Sequence, residues 1–333
     1  MRLELDDDRV AVRDAFAALF AKEATPERVR AAEATGFDTD LWARLCDIDA
    51  PGMAAPEEVG GSGAGLLDAA IACEQLGRTV APAPLVETTV ATRALARLGA
   101  DVSGCVGGAA IATFAPRPAV RGTARRVPAG AIADLVVARD GDQLVLARPG
   151  GSAALLPNLG RLPIADVDIT DATVLLAGPV AAREHARALD EWCVLTAAAL
   201  VGCGAGAIEL TVPYVKDRKA FDVPLATFQA VAHGLADADT DIEGARILTQ
   251  KAAWAADADD PDAHRLARMA FFFAAGAAER ATASALHFHG GYGVMLEYDI
   301  HLFARTAKAW SLQWGDRTTV LDDVADALLG PVV

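Results

Sequence analysis

The spacing of apolar residues changes twice along this chain, and few folds accommodate both changes. From Val10 to about Ala100 apolar positions recur every three to four residues, as in Val12, Phe16, Leu19 and Phe20, or Leu67, Ile71 and Leu76; this is the period of a helix with one buried face. From about Ala109 to Val174 β-branched residues gather in short runs, and ADLVVARDGDQLVLARPGG reads as two strands joined at Asp140–Gly141. So short a span leaves room for few strands of typical length. From about Val180 the helical spacing returns in longer units. Gly36, Gly77 and Gly99 read as helix stops, Ala50 to Gly65 as a Pro- and Gly-rich loop, and Asp260–Pro261 as the cap and first position of a helix running to His287. The expected fold is mainly α with a small β domain: an N-terminal helical domain over 1–105, a reduced central β domain over 106–178, and a C-terminal four-helix bundle with short loops over 179–333.

Composition narrows the partners. With 53% hydrophobic residues the 333-residue chain can build real cores. A formal net charge of −15 opposes binding to nucleic acid or an anionic membrane surface. Five cysteines without CxxC spacing fit reduced thiols in a cytoplasmic protein. The N-terminal segment is acidic and lacks an apolar signal region, and no uncharged apolar run reaches the ~18 residues of a membrane span. His287 and His289 are two apart, and the other four histidines lack ligand spacing, so no metal site is expected. Ser62 and Ser311 sit in no G-x-S-x-G elbow, which removes hydrolase chemistry. Glu57 and Glu58 read as solvated loop residues, and the five tryptophans as core or interface residues.

Three stretches closely resemble the acyl-CoA dehydrogenase family. Residues 36–85 carry LW, PEEVGGSG and EQLG in the family's order; Tyr214 to Asp237, YVKDRKAFDVPLATFQAVAHGLAD, is similar to its Arg–Phe–Gln signature; and His287 to Trp310, HFHGGYGVMLEYDIHLFARTAKAW, to its Gly-Gly and EYP stretch. The resemblance implies FAD, acyl-CoA thioester substrates and α,β-dehydrogenation, in which a carboxylate base takes the α-proton while FAD accepts the β-hydride. It also implies a cofactor site split between subunits. On that basis Arg218 matches the arginine that reaches a neighbour's FAD pyrophosphate, Phe221 and Gln229 the flanking contacts, and Gly290, Gly291 and Gly293 the close backbone approach. His287 stands where the family usually has glutamine, and either side chain donates a hydrogen bond. In isolation Arg218 would be a surface cation and HGGYG a helix stop; their shared context favours the cofactor reading.

The departures from the family carry as much information. Counting without gaps from Gly290–Gly291, the usual catalytic glutamate falls on Trp314, and indole cannot accept a proton. The alternative base position, counted back from Arg218, falls on Trp192. Glu191 is adjacent, but one residue along a helix is about 100° of rotation. Glu243 is expected to pair with Arg246 at i+3. The central region lacks the family's flavin-holding hydroxyl-rich strand. The chain thus reads as the non-catalytic partner of a full-length acyl-CoA dehydrogenase in a heterotetramer, resembling base-less subunits of actinobacterial enzymes that oxidise steroid side-chain thioesters. Two other readings stay open: a self-sufficient homo-oligomeric dehydrogenase using Glu191 or Glu243, and a structural or binding paralogue without flavin.

Overall fold

The computed structural model describes residues 4–149 and 153–330. Helix α1 (Asp7–Glu23) starts where the Asp6 carboxylate accepts from the Arg9 N–H, satisfying an orphan donor of the first turn. α2 (Pro26–Ala31) opens on proline, and α3 (Thr39–Cys46) is capped by Asp38, which accepts from the Asp40 and Leu41 N–H groups. After the Pro- and Gly-rich loop come α4 (Leu66–Arg78) and α5 (Leu85–Arg97). Gly99 at φ +69° ends α5 as expected. The short α6 (Ser103–Val106) leads into the strands.

Six strands follow: β1 (Ala112–Phe114), β2 (Thr123–Val127), β3 (Leu135–Asp140), β4 (Gln143–Ala147), β5 (Ala165–Asp168) and β6 (Thr173–Ala177). They fit the short span because each has only three to six residues. Four of them form a sheet in the order β1-β3-β4-β6, with β1 parallel to β3 and the other neighbours antiparallel, while β2 pairs with β5. The β3–β4 hairpin lies where the sequence places it, with Asp140 opposite Gln143 and Gly141 at φ +57°. Val136, Ala138, Val145 and Ala147 pack with Ala124, Val127 and Val167 as the core of this region.

The remaining helices are α7 (Pro179–Asp217), α8 (Gln229–Asp257), α9 (Ala263–Phe288), α10 (Ile300–Ser311) and α11 (Arg317–Leu329). Not every loop among them is short: α7 and α8 are joined through a two-stranded hairpin of β7 (Lys219–Ala220) and β8 (Val223–Pro224). Asp260 does not cap α9; its carboxylate accepts from the Asp262 N–H in the preceding turn, and the helix starts at Ala263. α7 carries an 18-residue window apolar enough to cross a membrane, but 89% of it is buried inside the chain, so it reads as a core helix.

Contacts divide the chain into two units. The central unit comprises Glu27–Ala69 and Pro82–Leu195; the C-terminal unit comprises the N-terminal segment to Pro26, Ala70–Ala81 and the chain from Thr196 onward. Within the C-terminal unit α4 and α7 touch backbone to backbone. A Cβ on Gly77 would fall 1.9 Å from the Ala199 carbonyl oxygen, and one on Gly202 1.9 Å from that of Glu74. Gly77 therefore lies inside α4 as a packing residue rather than a helix stop. Gly234 meets Phe288 and Gly244 meets Phe273, so α8 and α9 run antiparallel. That arrangement brings the start of α8 beside the end of α9.

Candidate functional site

The end of α7, the β7–β8 hairpin, the start of α8 and the end of α9 belong to the same unit and gather the residues singled out from the sequence. The Arg218 N–H donates to Tyr214 O at 2.8 Å, and Arg218 O accepts from the Leu225 N–H at 2.8 Å, closing the hairpin at its base. At its tip Phe221 and Asp222 have φ of 52° and 63°. Two successive left-handed residues match the twist of a two-residue hairpin, yet a phenylalanine there is strained. Its ring is 92% exposed, with Phe228 edge-on at 6.4 Å. The two-residue turn demands that backbone conformation, but among the described residues nothing in the unit covers the Phe221 side chain.

Gln229 opens α8 and is exposed, as is His287 near the end of α9. The chain then turns through Gly290–Val294, a short 3₁₀ segment. Gly290 has φ +58°, and a Cβ on Gly290 or Gly291 would meet no atom within 4 Å. Gly293 is different: a Cβ there would come 2.5 Å from the Leu286 carbonyl oxygen, so this glycine serves the chain's own packing. Val294 and Leu296 beside the turn are largely exposed. Arg218 is exposed, and among the described residues it forms no ion pair; its guanidinium carbon lies 5.5 Å from the Tyr292 ring centre. An unneutralised fork of N–H donors beside open glycine backbone fits a dinucleotide pyrophosphate, which needs cation and close approach together.

The positions that could hold a base are closed. Trp314 is buried, lies 6.1 Å from Phe271, and is covered by the Arg268 guanidinium at 4.5 Å. Arg268 is only 2% exposed, and its Nε lies 3.0 Å from the Asp323 carboxylate. In the central unit Trp192 is fully buried. Glu191 is also buried: its Oε1 accepts from Arg97 at 2.8 Å and from Arg93 at 3.2 Å. Burial raises the Glu191 pKa, but the two guanidiniums outweigh it and hold the carboxyl below the usual glutamate value. A buried carboxylate held as an anion by two cations is a weak proton acceptor. Glu243 pairs with Arg246 as expected.

On strand β1 the Thr113 hydroxyl is buried and donates to Pro128 O, and just past the strand Ala115 O lies 3.1 Å from His185 Nε2. These two groups are thus used within the unit. Among the described residues no three His, Cys, Asp or Glu side chains come together to hold a metal.

Several contributors were not singled out from the sequence. Tyr214 stacks on His289 at 4.1 Å and 18° and donates through its hydroxyl to His289 O. Tyr292 stacks on Tyr298 at 4.7 Å. Arg268, far from Trp314 in sequence, was missed too. Only the crowding of aromatics around the Gly-Gly turn hinted at the first group, and nothing local hinted at Arg268.

Residues 6–102 match the acyl-CoA dehydrogenase N-terminal domain and residues 186–329 the acyl-CoA dehydrogenase C-terminal domain. Acyl-CoA dehydrogenase IpdE2 of Mycobacterium tuberculosis is 34% identical over 317 residues, covering 90% of this chain and 91% of the relative. Among solved structures, the Tcur3481–Tcur3483 steroid ACAD is similar at TM-score 0.88 and 29% identity over 97% of this chain and 98% of the other. The ChsE4–ChsE5 complex from Mycobacterium tuberculosis is similar at TM-score 0.87 and 26% identity, covering 100% of both chains. With both terminal domains matched and the IpdE2 likeness running through nine-tenths of its length, the chain belongs to the acyl-CoA dehydrogenases, a family of FAD-dependent oxidoreductases acting on CH–CH bonds.

Proposed function

We propose that this chain is the non-catalytic subunit of a heteromeric acyl-CoA dehydrogenase, and that it completes the FAD site of a full-length partner. The observation that carries the reading is the contrast inside one unit between an outward half-site and a closed base position. Arg218 and the Gly290–Gly291 turn are open, whereas Trp314 lies under Arg268. The likeness to the Tcur3481–Tcur3483 and ChsE4–ChsE5 assemblies supports a two-chain enzyme, and the steroid ACAD supports a bulky steroid-derived acyl-CoA as substrate. The work is done in the cytoplasm.

The chemistry that bound FAD would supply is that of a hydride acceptor. This chain's residues bind and orient. Arg218 presents charge-assisted donors to the pyrophosphate, Gly290 and Gly291 let the backbone approach, Gln229 and His287 offer flanking hydrogen bonds, and Phe221 enters the partner as an apolar anchor whose strained backbone is offset on docking. The proton acceptor comes from the partner, because Trp314 carries no carboxylate and Glu191 is buried and held as an anion by Arg93 and Arg97. The test is the FAD stoichiometry of the chain purified alone and with a co-expressed full-length dehydrogenase from the same operon. One FAD per heterodimer and none on the lone chain supports the reading. One FAD per lone chain, bleached by an acyl-CoA, overturns it in favour of a self-sufficient enzyme.

A further inference from the structure

We infer that Tyr292 is a positioning residue: its ring holds the Arg218 guanidinium ready for an anionic ligand without neutralising it. The inference rests on the cofactor role proposed above for Arg218.

An exposed arginine has side-chain rotamer freedom to lose when it binds. Elsewhere in this unit arginines are held by carboxylates: Arg246 by Glu74 and Glu243, Arg280 by Asp241, Arg268 by Asp323. The chain has 45 acidic against 30 basic residues, so such pairing is the easy solution. It would also defeat a phosphate-binding arginine, because it consumes both the charge and the N–H fork. Arg218 has no carboxylate among the described residues and has instead the face of Tyr292, 5.5 Å from its Cζ, inside the ~6 Å range of a cation–π contact. A ring face restrains the cation and leaves its donors free.

The ring is itself fixed. Tyr292 stacks on Tyr298 with centroids 4.7 Å apart and 28° between planes. One helical turn before Arg218, Tyr214 stacks on His289 and donates to its carbonyl oxygen, tying the end of α7 to the glycine turn that carries Tyr292. Burial lowers the His289 pKa, so that ring brings no second charge beside Arg218. The arginine and its platform thus come from two chain segments pinned together by a neutral aromatic pair.

The experiment titrates FAD into the flavin-free assembly of this chain with its co-expressed full-length partner, and follows flavin fluorescence. The variants are Tyr292→Phe, Tyr292→Leu, Tyr292→Gln, Arg218→Ala and the double variant Arg218→Ala with Tyr292→Leu; the thermal midpoint of each chain is the structural control. Tyr292→Phe is expected to bind FAD as the parent does. Tyr292→Leu and Tyr292→Gln are expected to bind about two- to fivefold more weakly, the range of one exposed cation–π contact. The double variant should bind no more weakly than Arg218→Ala alone, because the ring acts through the arginine. If Arg218→Ala weakens binding while neither Leu nor Gln at 292 does, the positioning role falls and the cofactor role of Arg218 stands. Additive losses in the double variant, or losses tracking a lowered thermal midpoint, also overturn it. Unchanged binding in Arg218→Ala overturns the underlying cofactor role instead.

Discussion

Two arginines of the C-terminal unit lie over aromatic rings, and their fates are opposite. Arg268 sits 4.5 Å over Trp314, is 2% exposed and is paired with Asp323. Arg218 sits 5.5 Å from Tyr292, faces solvent and has no carboxylate among the described residues. In the first pair the charge is met by a carboxylate and the ring is covered by the guanidinium, so the indole is shut away from solvent. In the second, charge and N–H donors remain unspent. The contrast is one of exposure: a left-handed, solvent-facing Phe221, two glycines facing open space and a guanidinium with no carboxylate among the described residues all lie at the same end of the same helices.

The closed side can be broken hardest in the central unit. Arg97→Leu leaves the buried Glu191 with Arg93 alone, and should lower unfolding stability by about 3 kcal/mol in urea denaturation; a change within experimental error would show that this network is not closed. On the open side, Arg218→Ala should weaken FAD binding by the assembly by about 1.5–3 kcal/mol, the worth of a hydrogen bond to a charged group, with no loss of thermal stability. Phe221→Gly relieves a left-handed phenylalanine and should stabilise the lone chain by about 1 kcal/mol, while weakening association with the partner in ultracentrifugation. A stabilised chain that still assembles fully would remove Phe221 from the interface.

Acid sharpens the contrast further. The Glu191 carboxyl is held below its ordinary value by Arg93 and Arg97 against the opposing effect of burial. The unfolded chain therefore takes up this proton first as pH falls. Its stabilising contribution is complete above the ordinary glutamate pKa of about 4.3, and is lost as pH drops through the lower folded value. Glu191→Gln should flatten that acid limb in denaturation curves and leave the turnover of the folded assembly unchanged. The smallest effect is expected at Trp314: Trp314→Glu should give the lone chain no dehydrogenase activity, because a carboxylate placed there would pair with Arg268 and be held as an anion. Appearance of activity would show that the site is not closed after all.

Much of this was legible in the order of residues. The two changes of apolar period foretold helices, small sheets and helices, and the β3–β4 turn fell at Asp140–Gly141. These signals survive because they are local or rigidly spaced. Gly77 misled because a glycine near a helix end looks like a stop, and only the Ala199 carbonyl oxygen reveals it as a close-packing residue. Glu191 was left as a fallback base because its partners lie 94 and 98 residues away on α5.

The sequence alone determined the period of each segment, the family motifs and the absence of a carboxylate at position 314, since periodicity, turn chemistry and residue identity are properties of neighbouring residues. Only the tertiary structure decided which charges were spent. Whether an arginine meets a carboxylate, a ring or solvent depends on which helix faces the packing brings together. That is how Arg268 came to seal Trp314, Arg93 and Arg97 to hold Glu191, and Arg218 to be left open beside Tyr292.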